Sequence, residues 1–546
     1  MKKFTTRLLA VILACAVLTP SVAFAREIQL PDNMEIRNII FMVPDGMDAN
    51  AATLARWFLA FDAETEEVDL DVRLRMDELM SGMVRSYWTD GTVIGAIADS
   101  APVGTTMATG HITNNRFIGV TYEVEPIANI MQAARSLGKS TGLIATSNIQ
   151  HATPAAFSAH HIERNRYDII GEQQVYGNFD VVFGAGLQFM MPPFRQDDEN
   201  MLESLEARGY QFVQTRDEMF EITQGRVWGL FAPHFMTNEI DRPQVTPHQP
   251  SLAEMTDKAI ELLSQNEEGF FLMVEGSKVD WAGHGNEPIA IISEILAFDE
   301  AVGVALDFAQ QCSHTMIIIV SDHGTGGLTM GDRATSSTYH SDPIARFIAP
   351  LARATASFEG IFFRAMGNPD ADVVELIYEH MGIDDLTDEE IEAIEETISN
   401  FVAFRDVMGA VISPRANIGW TTGGHVGNDS TLYTFLPGDQ RLVGLFSQRD
   451  FATIFEAVWD FDFATLTDEL FNDARPHFEE RRATVTINSD VVSGGYMTVI
   501  RDYNILIVHE NKDYVYFNDQ RLYFDSVMVL AQDRFFVPQG VLDLLR

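Results

Sequence analysis

Nine side chains in this sequence could together do chemistry: Asp45, Asp99, Ser100, Glu275, Asp280, His284, Asp322, His323 and His425. Most of them fall just beyond an apolar run. Asp45 follows the run at 36–43 through Pro44, and Glu275 ends the run at 270–274. Asp322 and His323 close the run at 315–320, the most apolar of all. Asp280 and His284 stand four apart, a spacing that puts both on one face of a helix. His425 sits after two glycines, and Thr153 lies two residues after His151. A mixture of carboxylates and imidazoles suits zinc together with a harder, oxygen-preferring ion such as magnesium. Asp99 and Ser100 precede a stretch, up to Gly110, that can open a helix. A serine there can lose its proton to a metal and attack phosphorus, with the helix N-terminus facing the incoming anion.

Taken singly, each residue also has a plain structural reading. Asp45 and Asp99 read as helix caps, and Asp280 with His284 as a surface pair. Asp322-His323 reads as a loop and His425 as a turn residue. Together they share a position at the ends of apolar strands, where open α/β sheets bind their ligands.

Those strands must therefore be built around them. The runs at 36–43, 141–146, 180–183, 270–274, 315–320 and 431–436 predict strands, with 76–84 a helix end leading into another. Helical spacing over 125–137, 251–263 and 289–308 alternates with them. The expected fold is α/β: a large, mostly parallel central sheet flanked by helices on both faces. From 331 to 419 the signals become irregular, which predicts an insertion or lid. Its one clear element is an acidic helix over 387–401, where Thr387 and Glu390 fit a capping box. From about 479 the texture turns to β, with strands expected at 483–492, 496–500, 505–509, 514–517, 522–524 and 535–537.

The chain has 546 residues, 46% of them hydrophobic, enough for one large domain with an appendage. Residues 1–25 read as an export signal: Lys2, Lys3 and Arg7, an apolar stretch, then Ala23-Phe24-Ala25. A lipoprotein reading at Cys15 is the alternative. Cleavage after Ala25 leaves Cys312 alone, so no disulfide is expected in the exported chain. No other segment reads as transmembrane. The net charge of −42 argues against nucleic acid or an anionic membrane as partner. It predicts a solvated acidic surface, or adaptation to a salty or alkaline habitat.

Over residues 36–460 the sequence resembles the alkaline phosphatases. The motifs that carry the resemblance are Phe41-Met-Val-Pro-Asp-Gly-Met47, Asp99-Ser-Ala101 with Met107-Ala-Thr-Gly110, and His151-Ala-Thr-Pro-Ala-Ala156 with His160 and Arg164. Further along come Val274-Glu-Gly-Ser-Lys-Val-Asp-Trp-Ala-Gly-His284, Val320-Ser-Asp-His323 with Gly326-Gly327, and Thr422-Gly-Gly-His425.

The resemblance implies a two-zinc, one-magnesium site. Asp280, His284 and His425 would hold the first zinc. Asp45, Asp322 and His323 would hold the second, with Ser100 as its fourth ligand. Asp45 would also reach the magnesium, joined by Thr153 and Glu275. Ser100 would be the nucleophile and Arg164 the phosphate grip, with Arg166 its rival and Asp99 its orienter. His151 and Trp281 mark a subgroup in which His151 would hold a water on the magnesium, near the substrate. Gly324 and Asn428 replace frequent glutamates that are not ligands. A homodimer is implied too.

The implied activity is hydrolysis of phosphate monoesters through a phosphoserine, with broad specificity for the leaving alcohol. A phosphodiesterase or sulfatase sharing the metal core is the alternative, although Ser100-Ala-Pro-Val lacks the sulfatase pattern. A non-catalytic phosphate-binding surface protein is a third reading. The segment 479–546 lies outside the resemblance. It weakly resembles the small β-rich modules of the copper amine oxidase N-terminal-like type, which would give contact with the cell envelope. An extra β-hairpin packed on the catalytic domain is the other reading, and no copper site is visible.

Overall fold

The computed structural model describes residues 35–368, 370–489 and 494–545. The expected export signal at 1–25 lies outside the described residues.

Ten strands form the central sheet. In chain order they are β1 (Asn38–Pro44), β2 (Met80–Arg85), β3 (Ser140–Asn148), β4 (Val181–Ala185), β5 (Gln211–Val213), β6 (Val227–Leu230), β7 (Phe270–Gly276), β8 (Thr315–Val320), β9 (Ser430–Phe435) and β10 (Gly444–Ser447). Across the sheet they run β10-β2-β9-β8-β1-β7-β3-β4-β6-β5. Only β9 runs antiparallel to its neighbours, β8 and β2. The mostly parallel sheet is thus the one expected.

The central strands are continuous apolar runs because helices cover both faces. Side chains alternate across β1. Ile40 and Met42 enter one buried layer. Phe41 enters the other, its ring 5.5 Å from Phe157 and 5.4 Å from Phe451. The helices include α1 (Ser100–Thr109), α2 (Ala152–Ala156), α3 (Tyr167–Tyr176), α4 (Leu252–Leu263), α5 (Lys278–His284) and α6 (Pro288–Gln311). α4 and α6 pack together against the sheet.

Three expectations shift. The helix expected over 125–137 begins only at Ile130. Pro126 disfavours helical backbone at Glu125, and Asn129 accepts from Gln132 N, so the capping box starts the helix there. The helix expected over 387–401 stops short, at Thr397. Asp388–Thr397 carries the expected Thr387–Glu390 capping box, and Asn400 caps a second helix, Phe401–Arg415. The irregular stretch 331–419 holds three further α-helices among its described residues: Ala345–Ala352, Phe358–Gly367 and Val373–Met381. All five helices share the main core, through Ile348, Phe358, Ile377, Ile394 and Phe404.

At the C-terminus five antiparallel strands pair in sequence order: Thr484–Asn488, Tyr496–Arg501, Asn504–His509, Tyr514–Phe517 and Gln520–Tyr523. The far end of the strand expected over 483–492 lies outside the described residues. Met497, Val499, Leu506, Val508 and Val515 form a separate apolar cluster that draws in Ala474 and Phe478 from ahead of residue 479. No helix among the described residues is long and apolar enough to cross a membrane.

Candidate active site

The middle of the sheet delivers the first ligands. β1 lies between β8 and β7, with Val43 opposite Glu275. Asp45 directly follows β1, Glu275 is the penultimate residue of β7, and Asp322 and His323 follow β8. Asp45, Glu275 and Asp322 have no exposed surface. α5 adds Asp280 and His284, and His425 pairs back across Thr325.

These side chains converge. Ligating atoms of Asp45, Asp322 and His323 lie within 4.8 Å of one another, as do those of Asp280, His323 and His425, and those of Asp45, His151 and Glu275. Asp45 therefore belongs to two groups. His323 Nε2 is 3.1 Å from Asp322 Oδ2 and 3.8 Å from Asp45 Oδ1. His284 Nε2 is 3.4 Å from Asp280 Oδ2 and 3.2 Å from His425 Nε2.

The ring protons are fixed by what lies behind the histidines. His284 Nδ1 is 2.7 Å from the Gly423 carbonyl and His425 Nδ1 is 2.8 Å from that of Ala98. A carbonyl only accepts, so each Nδ1 carries the proton and each Nε2 presents a lone pair. Thr325 Oγ1 donates to Asp280 Oδ1 at 2.5 Å and lies 3.3 Å from His323 Nδ1. With its proton committed, Thr325 accepts from His323, whose Nε2 lone pair also turns inward. Ser100 Oγ lies 3.1 Å from that Nε2.

Such an arrangement fits cations. Ligand atoms about 2.0–2.1 Å from a tetrahedral zinc stand roughly 3.3 Å apart, close to the spacings found here. Both oxygens of Asp45, both of Glu275 and Thr153 Oγ1 are buried without a hydrogen-bond partner. That all-oxygen set is what a hard ion prefers. Burial, reinforced by Asp322, pushes the Asp45 carboxyl well above its ordinary value, and burial pushes Glu275 up to about 8. Ionised carboxylates in such a space need a positive charge beside them.

Ser100 is the first residue of α1 and Asp99 occupies its cap position in extended backbone. Asp99 does not cap by its side chain. One oxygen instead pairs with Arg164 and the other accepts from Arg116 N at 3.1 Å. Arg164 Nη2 donates to His151 Nε2 at 3.1 Å. The His151 proton is then on its buried Nδ1, which has no partner, so the ring offers a donor there rather than a lone pair. Burial and Arg164 lower His151 to about 3, which keeps it neutral. The Trp281 ring stands edge-on to it at 5.7 Å. Arg166, the rival, is instead paired with Asp168 at 3.0 Å.

All twelve expected residues, including Thr153 on α2 and Arg164, thus lie in or against one cluster. Sequence reasoning missed Thr325, which ties Asp280 to His323. Its signal was its place two residues after His323. It also missed the carbonyls of Ala98 and Gly423, which carry no side-chain signal at all.

The family model described as alkaline phosphatase matches residues 36–460. Alkaline phosphatase 4 of Bacillus subtilis is 33% identical over 460 residues, covering 81% of this chain and 95% of that protein. The crystal structure of a cold-active alkaline phosphatase from the psychrophile Shewanella sp. superposes with a TM-score of 0.68 at 29% identity, covering 77% of this chain and 99% of that one. The alkaline phosphatase of Thermus thermophilus gives a TM-score of 0.69 at 26% identity, covering 78% and 92%. With its strand-end carboxylates, inward-facing imidazoles and helix-mounted serine, this chain belongs to the alkaline phosphatase family.

Proposed function

We propose that this phosphomonoesterase is exported and works through a phosphoserine on Ser100 at a two-zinc, one-magnesium centre. Asp280, His284 and His425 would hold one zinc. Asp45, Asp322, His323 and Ser100 would hold the other, and Asp45, Thr153 and Glu275 the magnesium. When bound, these cations supply positive charge that lowers the serine hydroxyl's pKa and stabilises charge on the transferred phosphoryl group.

The chain's own residues do the rest. Ser100 Oγ, at the N-terminus of α1, attacks phosphorus as the ester P–O bond breaks and the alcohol leaves. Arg164, held by Asp99 and His151, turns its remaining N–H groups to the phosphoryl oxygens. Water then attacks the phosphoserine, which frees Ser100 and yields inorganic phosphate. Little in this scheme grips the alcohol, so many monoesters should serve.

One observation carries the reading: Ser100 Oγ lies 3.1 Å from His323 Nε2, inside the cluster of ligand-type side chains. Comparing p-nitrophenyl phosphate with its bis-ester and with p-nitrophenyl sulfate tests it. The monoester should turn over fastest, and faster turnover of either alternative contradicts the reading. Ser100→Ala should abolish acid-stable phosphoenzyme and lower kcat by orders of magnitude with zinc content unchanged. The reading also carries a homodimer and envelope contact by the C-terminal segment, tested by light scattering and by cell fractionation.

A further inference from the structure

The C-terminal β sheet touches the catalytic part at one distinctive place, the turn 511–513 that follows the strand Asn504–His509. Asn511, Lys512 and Asp513 are only 3%, 7% and 2% exposed. Backbone bonds hold the turn to its own module: Asn511 N donates to Met528 O at 2.7 Å, Met528 N to Lys512 O at 2.9 Å, and Phe524 N to Asp513 O at 2.7 Å. Its three side chains all point into the catalytic part.

Their target is α3 and its surroundings. Lys512 Nζ lies 2.5 Å from Glu172 Oε1 and 2.8 Å from Glu199 Oε2. Asp513 pairs with Arg208 and accepts from Asn178 Nδ2 at 2.9 Å. Asn511 Nδ2 donates to Glu172 Oε2 at 3.2 Å, and Asn511 Oδ1 accepts from Gln173 Nε2 at 2.9 Å. Gln173 is the relay. Its Oε1 accepts from His160 N at 2.7 Å and its Nε2 also donates to His160 O at 3.1 Å.

His160 begins the loop that carries Arg164 and runs directly into α3. Both ends of that loop are therefore referred to Gln173, one by hydrogen bonds and the other by the helix itself. We propose that Asn511, acting through Gln173 and His160, is a positioning residue for Arg164, so that the C-terminal module is a working part of the phosphate site. This rests on the reading of Arg164 as the phosphate grip. A buried amide that loses its partner is costly enough to shift a loop, and the family match ends at residue 460, so the contact is an addition to the family's core.

The test is a double-mutant cycle on the full chain, read as inhibition by inorganic phosphate and as KM against kcat. Asn511 has a φ of +62°, so Asn511→Gly removes the amide without straining the turn. It should weaken phosphate binding and raise KM by about fivefold or more, with zinc content unchanged. In an Arg164→Ala background the same change should do nothing further. Lys512→Gln serves as a second variant and should act in the same direction. Unchanged phosphate affinity in Asn511→Gly, or an equal loss in the Arg164→Ala background, overturns the proposal. If Arg164→Ala itself leaves phosphate binding intact, it is the reading of Arg164 that fails instead.

Discussion

His284 and His425 face one another with their Nε2 atoms 3.2 Å apart, while each Nδ1 is committed to a backbone carbonyl. Two lone pairs so placed repel unless a cation lies between them. Chelation with EDTA should therefore abolish activity and also lower the melting temperature, and added zinc should restore both. A melting curve indifferent to chelation would show that the imidazoles are held apart by packing alone.

Thr325 stands behind that pair, donating to Asp280 and accepting from His323. Partners of this kind orient metal ligands, and losing one typically costs 10–100-fold in metal affinity. Thr325→Val keeps the volume and removes the hydroxyl. It should weaken zinc binding by about 10-fold or more, measured by competition with a chromophoric chelator.

Arg164 is clamped by Asp99 on one side and His151 on the other. Arg164→Ala should raise KM and the inhibition constant for phosphate together, by roughly 1.5–3 kcal/mol of lost charge-assisted bonding. Asp99→Asn should give a smaller change in the same direction, since it loosens the guanidinium without removing it. Steady-state kinetics with phosphate as inhibitor checks both.

Glu287 stands at the cap of α6 and Glu294 in its second turn, and burial pushes them up to about 8 and about 7. Lys278, Glu359, Asp241 and Glu239 surround them. Their folded-state values exceed the ordinary 4.5, so the folded chain holds more protons than the unfolded one above that pH. The stability contributed by these two groups must then fall as pH rises from about 4.5 through 8. Each tenfold difference in proton affinity between the folded and unfolded chain is worth about 1.4 kcal/mol. Glu287 accepts from Phe358 N and Glu294 from Glu239 N, and a glutamine oxygen accepts equally well. Glu287→Gln and Glu294→Gln should thus leave the melting temperature near pH 5 unchanged and raise it near pH 9. Parallel melting profiles for wild type and variants would contradict this.

The sequence was most legible where one element implied the next. Asp45, Glu275 and Asp322 could be picked out because each ends a strand apolar on both faces, a pattern that hydropathy displays directly. Asp280 and His284 were legible through helical spacing. Three of the helices within 331–419, Ala345–Ala352, Phe358–Gly367 and Val373–Met381, were not, because short helices packed into a shared core show too few turns to establish a period. The acidic helix was read three or four residues too long, since Asn400, which caps the next helix, resembles an ordinary polar position at the end of the first. The bond from Gln173 to Asn511 joins two common amides 338 residues apart, and no local pattern foretells it. Asp99 was read both as a cap and as the partner of Arg164, and the side chain makes only the second contact.

The central claim is that the converging side chains are a cation-built centre around Ser100. Anomalous diffraction from crystals of the zinc-loaded protein, recorded on both sides of the zinc absorption edge, tests it most directly. The account predicts two zinc peaks, one among Asp280, His284 and His425 and one among Asp45, Asp322, His323 and Ser100. An empty cluster, or zinc bound only elsewhere, would contradict it.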